Sequence, residues 1–132
     1  MRKIIILLLS AVVLLFGVIS YGNAENNMEH RASTIFTSTS AVLKLDKRCI
    51  YNFSTKNSCN SLSISSCYLE CYISGEWVRI STLTPPSLVV SGTAYTYSAN
   101  YSSNIGTGRY RVWVTFNADG HTKTFCSNEQ TY

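Results

Sequence analysis

From residue 41 onward, apolar and polar side chains change places at nearly every step, the period of strands buried on one face only. Residues 41–46 put Leu43 and Leu45 on one side, and residues 49–54 do the same with Cys49, Tyr51 and Phe53. A polar connection, 55–61, interrupts the pattern, which resumes at 65–73 with Cys67, Leu69, Cys71 and Ile73. Ser74-Gly75 then offers a two-residue turn, glycine taking the positive φ that such a hairpin needs, and leads into a strand at 76–82. Pro85-Pro86 ends that strand, because proline has no N–H to give a ladder. Residues 93–101 alternate on Tyr95, Tyr97, Ala99 and Tyr101, and residues 109–117 on Tyr110, Val112, Val114 and Phe116. Ala118-Asp119-Gly120 turns the chain into a last strand at 121–127. Short strands at this spacing predict an all-β domain, a two-sheet antiparallel β-sandwich of about seven strands.

The first 40 residues follow other rules. Arg2 and Lys3 precede an apolar run from Ile4 to Ile19 that only Ser10 and Gly17 interrupt. Gly22 and Ala24 are small and sit three and one residues before a cut after Ala24. Charge, apolar run and small-residue exit make 1–24 a secretory signal peptide. The competing reading, an uncleaved anchor, needs a span of roughly 20 apolar residues, longer than this run. The expected product is secreted and extracellular, with no stable membrane anchor. Residues 25–40 are polar and aperiodic and read as a flexible N-terminal arm, so the sandwich is expected over 41–132.

Cleavage changes the charge picture. The whole chain carries +4 and the processed one +2, since Arg2 and Lys3 leave with the signal. That balance gives no reason to expect nucleic acid as a partner. All five cysteines, Cys49, Cys59, Cys67, Cys71 and Cys126, remain. In an exported chain they read as disulfide formers. Zinc would call for tight Cys-x2–4-Cys pairs in duplicate, which these spacings lack. In a sandwich the start of the 49–54 strand, the end of the 65–73 strand and the end of the last strand share one end. This predicts a local Cys59–Cys67 bridge, Cys126 joined to Cys49 or Cys71, and one thiol left over. The odd cysteine would be able to link two chains as a dimer.

Gly108-Arg109-Tyr110-Arg111-Val112 resembles the Gly-x-Tyr-x-Val start of a strand in immunoglobulin-like and fibronectin-type sandwiches. There the tyrosine ring fills the core and its hydroxyl caps nearby backbone. Together with Leu69-Glu70, Ser74-Gly75-Glu76-Trp77 and Ala118-Asp119-Gly120, the chain resembles short secreted β-sandwich proteins of unknown function from Gram-positive bacteria. The resemblance implies the fold and export, and carries no activity with it.

Catalysis needs convergent groups, and the sequence offers few. His30 falls in the arm and His121 beside a turn. No phosphate loop, nucleophile elbow or metalloprotease pattern occurs, so neither an enzyme nor a cofactor or metal is expected. Glu70 and Glu76 flank the first hairpin and read as a solvated edge that discourages strand aggregation. The informative feature is a face. If Leu69 and Val112 point inward, then Tyr68, Tyr72, Arg111 and Trp113 share the opposite side of neighbouring strands. These residue types concentrate at binding hot spots, although cross-strand pairing alone also uses them. The expected function is a non-catalytic interaction module that binds a protein or cell-surface glycan through that face. A secreted, bacteriocin-like toxin acting at a target cell surface is the alternative.

Overall fold

The computed structural model describes residues 35–132, and all of them belong to one antiparallel β structure. The proposed signal peptide, residues 25–34 of the arm and His30 lie outside the described residues. The strands are β1 (Phe36–Leu43), β2 (Arg48–Ile73), β3 (Glu76–Leu83), β4 (Val90–Asn100), β5 (Arg109–Ala118), β6 (His121–Cys126) and β7 (Gln130–Thr131). Among the described residues, no helix is long and apolar enough to cross a membrane.

One strand organises the rest. β2 runs unbroken for 26 residues, so the expected loop at 55–61 is instead strand. Its first half lies between β1 and β4, and its second half between β3 and β5. β6 and β7 complete the sheet on the far side of β5. The register slips between Ser54 and Cys59, between Cys59 and Leu62, and again between Ile64 and Ser66. The last two slips each move the inward set by one residue: Cys49, Tyr51, Phe53 and Cys59, then Leu62 and Ile64, then Cys67, Leu69 and Cys71. Bulges of this kind bend a strand and increase its twist, and here they curl the sheet until its inner face meets itself. Phe53, from the first half of β2, lies tilted against Phe116 of β5 with ring centroids 4.8 Å apart.

One side of the curl is closed. The Leu43 N–H donates to Asn128 Oδ1 at 2.7 Å, and the Asn128 amide returns a bond to the Leu43 carbonyl at 3.0 Å. Tyr132 adds a bond from its hydroxyl to the Lys44 carbonyl at 2.5 Å. The end of β1 is thus held to the chain that follows β6. On the other side, β3 and β4 each pair with β2 alone.

The inward faces of 109–117 and 49–54 are as expected: Tyr110, Val112, Val114 and Phe116 are buried, as are Cys49, Tyr51 and Phe53. Tyr110 also fulfils the corner geometry, its hydroxyl accepting from Gly106 N at 3.3 Å and donating to the Thr107 carbonyl at 3.5 Å. Two expectations fail at the start of the domain. Residues 36–40, assigned to the arm, form the first part of β1. Leu45 does not join Leu43 inside but lies in a turn, 77 % exposed.

The β2–β3 and β5–β6 hairpins have two-residue loops with positive φ at each position: Ser74 and Gly75 at 52° and 86°, Asp119 and Gly120 at 49° and 85°. This backbone matches the natural twist of the flanking strands. Asp119 has a second task. Its carboxylate accepts the N–H groups of Ser61 at 2.8 Å and Asn60 at 3.1 Å, pinning β2 within the register slip between Cys59 and Leu62. Asp119→Ala removes both bonds, each to a charged acceptor, and should cost about 1.5–3 kcal/mol. A urea titration checks this: the midpoint should fall with the slope unchanged, and an unmoved midpoint would mean the pin carries no weight.

Candidate functional site

No sulfur is bonded to another: Cys49, Cys59, Cys67, Cys71 and Cys126 are all free thiols in this structure. The register opposes the pairings expected from the sequence. Cys126 stands opposite Trp113 on the outer face, whereas Cys49 and Cys71 point into the core, so the sheet separates them. Cys59 and Cys67 lie eight residues apart on one strand, with two register slips between them. Their sulfurs also keep different company. Cys59 is near the Thr55 hydroxyl, and Cys67 near the hydroxyl of Tyr101 at 3.9 Å.

The outer face of β3, β2 and β5 carries a connected set of aromatic and charged side chains. Register places Trp77 beside Tyr72, Arg79 and Arg111 on either side of Glu70, and Tyr68 beside Trp113. Cation and ring alternate across this grid. The Arg79 guanidinium lies 3.6 Å over Tyr68 and that of Arg111 4.2 Å over Trp77. Tyr72 and Trp77 rings are 5.2 Å apart, and Tyr68 and Trp113 rings are stacked at 6.2 Å. Such contacts each hold about 0.5–1 kcal/mol on an exposed surface, and together they fix the rings in place.

Glu70 sits at the centre. One of its oxygens accepts from Arg111 Nε at 2.5 Å and from Trp113 Nε1 at 2.8 Å. Its side chain is only 14 % exposed, so it is a hub of the face and not the solvated edge residue that the sequence suggested. Glu76 pairs with Ile73 instead and does not face it. Arg109 bonds Glu129 and reaches over Tyr72 at 5.1 Å. Arg79 is exposed and forms no ion pair among the described residues.

All four residues expected to form the face, Tyr68, Tyr72, Arg111 and Trp113, are therefore brought onto one surface. Trp77 and Arg79 were missed, although the Ser74-Gly75 turn implies that Tyr72 faces Trp77. Cys126 also borders this face. Burial raises its pKa, as do Glu70 and Glu129, while Arg111 lowers it.

A small pocket at the opposite end, about 220 Å³, is lined by Cys59, Lys56, Asp119 and His121 among others. Its groups are engaged elsewhere: the Cys59 thiol donates to the Asn57 carbonyl at 3.5 Å, and Asp119 holds two backbone N–H groups. No cluster of His, Cys, Asp and Glu suited to a metal ion occurs among the described residues. No family model matches this chain, and comparison with curated proteins and with solved structures gives no match.

Proposed function

We propose that the chain is a secreted, non-catalytic interaction module whose β3–β2–β5 face grips a ligand carrying an anionic group beside a flat apolar surface. An acidic protein surface and an acidic cell-surface glycan both offer that chemistry. The observation that carries the reading is Arg79. It is an exposed guanidinium stacked on Tyr68, whose N–H edges have no carboxylate among the described residues while the other two arginines of the face are paired. Held rings and a preset guanidinium lose little entropy on binding, and Arg suits planar recognition of carboxylate or phosphate.

The same pairings favour an immunoglobulin-like sandwich, with β1, the first half of β2 and β4 as one layer, and β3, the second half of β2, β5 and β6 as the other. The N-terminal charge, apolar run and small-residue exit favour export.

Arg79→Ala and Trp77→Ala test the reading, because both side chains lie on the outer face and off the core. In pull-downs from cell-surface extracts each should weaken retention by about 30-fold, the loss expected for a hot-spot residue of at least roughly 2 kcal/mol. The circular dichroism spectrum should stay unchanged. Retention equal to wild type in both variants would remove this face as the binding site.

A further inference from the structure

The open side of the curl holds a cleft of about 640 Å³, within the range of small-molecule sites. One wall is the end of β3 with Thr82 and the turn through Pro85 and Pro86. The other is the β4 stretch from Tyr97 to Asn100. We propose that this cleft, separate from the aromatic face, binds a neutral oligosaccharide.

The walls are preset. Proline fixes its own φ, and the buried Tyr95 donates its hydroxyl to the Leu88 carbonyl at 3.1 Å, anchoring the segment behind the turn. Tyr97 stands opposite the fully buried Tyr51, and such partners share a face. Tyr97 is nevertheless only half-buried, because the sheet does not close over it. Its ring is thus a fixed apolar platform at the mouth of the cleft.

The polar groups all lack charge. No Lys, Arg, Asp, Glu or His lines the cleft, so nothing in it would compensate an ionic ligand on desolvation. What lines it are hydroxyls and amides. Asn100 uses its oxygen to accept from Ser102 N at 2.9 Å, leaving its two amide N–H groups for a ligand. The free edge of β4 adds backbone groups. The Tyr101 N–H reaches back to the Lys47 carbonyl at 2.9 Å, so by alternation the backbone groups of Ser98 and Asn100 face away from β2 into the cleft. A sugar ring matches this lining, with C–H faces for Tyr97 and the prolines and hydroxyls for the amides. An inserted peptide strand fits less well: it would bond to β4 alone, since Pro85 and Pro86 have no N–H to offer its other edge.

The test is amide NMR on the isotope-labelled protein, titrated with millimolar cellotetraose, mannotetraose and chitotetraose, a galacturonic acid tetramer, and an uncharged extended pentapeptide. The expected result is saturable shifts around Thr84, Tyr97, Ser98 and Asn100 with at least one neutral sugar. Tyr97→Ala should weaken that binding roughly tenfold or more, the effect of losing a stacked ring anchor. Ser98→Lys, an exposed site that a folded chain tolerates, should weaken it as well, and Trp77→Ala should not. Three outcomes overturn the proposal: no shifts with any neutral sugar, a preference for the acidic tetramer or the peptide, or sugar binding that survives both cleft variants.

Discussion

Phe53→Ala should destabilise the protein by about 3–5 kcal/mol, the range for deleting a buried aromatic ring. The ring is 2 % exposed and meets three others. It packs edge-on against Phe36 at 5.6 Å, stacks on Tyr95 at 5.1 Å and lies tilted on Phe116 at 4.8 Å. Those partners come from β1, β4 and β5, so one side chain joins both strands flanking the first half of β2 to the strand that pairs with its second half. Truncation leaves a void where the sheet curls onto itself, and the surrounding strands cannot collapse into it without opening the curl. Against a typical total of about 5–15 kcal/mol, such a loss should lower the melting temperature by roughly 12–40 °C, at 4–8 °C per kcal/mol for a domain of this size. Leu45→Ala is the contrasting variant. It alters a residue 77 % exposed and should stay within about 0.5 kcal/mol of wild type. Urea unfolding followed by tryptophan fluorescence compares the two, and equal midpoints would mean the core does not converge on Phe53.

That contrast also shows what a period of two can and cannot reveal. Phe53 and Phe116 were legible as inward residues because each lies in an uninterrupted stretch of alternation. Leu45 obeyed the same rule but falls beyond the last pair of the β1–β2 ladder, Leu43 with Cys49, where the chain turns and alternation no longer means burial. The polar run Lys56-Asn57-Ser58 looked like a loop for a related reason. It is exposed strand at the bend of β2, and the register slip across it and the two after it hide the continuity from any fixed-period reading. The face was half legible. Tyr68, Tyr72, Arg111 and Trp113 followed from parity within two strands, whereas Arg79 and the central role of Glu70 depend on register across three. β3 complicates that register with a bulge, since Leu69 faces Ser81 and Glu70 faces Arg79, leaving Ile80 as the extra residue. The cysteines were grouped by the end of the strand they occupy. Whether two of them can meet is decided by which side of the sheet each faces.

The sulfurs and phenols inside that sheet set the last expected result. In the reduced protein, iodoacetamide at pH 8 should label Cys126 at least about 100-fold faster than Cys49, and Cys49 should react freely only once alkali unfolds the domain. Burial, reinforced by the neighbouring Cys67 and only partly offset by a bond from Tyr51, pushes the Cys49 pKa up to about 12. At pH 8 that leaves roughly one thiolate in 10⁴, and the greater intrinsic nucleophilicity of a high-pKa thiolate recovers only part of the deficit. Cys49 is also fully buried, so each reaction must await an opening of the core. Burial likewise raises the pKa values of Cys67, Tyr51 and Tyr101, and the two phenols share a 2.6 Å hydrogen bond. Each group holds its proton more tightly folded than unfolded. Their contribution to stability is therefore complete below the unfolded thiol value of 9.0 and is lost as the pH climbs from there toward the folded value. For Cys49 alone the slope approaches about 1.4 kcal/mol per pH unit across that window, with the unfolded state binding fewer protons. Urea midpoints should hold level between pH 7 and about 8.5 and fall steeply above about 9. Cys49→Ala should reduce that slope by close to one proton. Labelling of Cys49 at the rate of Cys126 in neutral buffer, or a midpoint indifferent to alkali, would place these groups outside the dry interior on which the curl of the sheet depends.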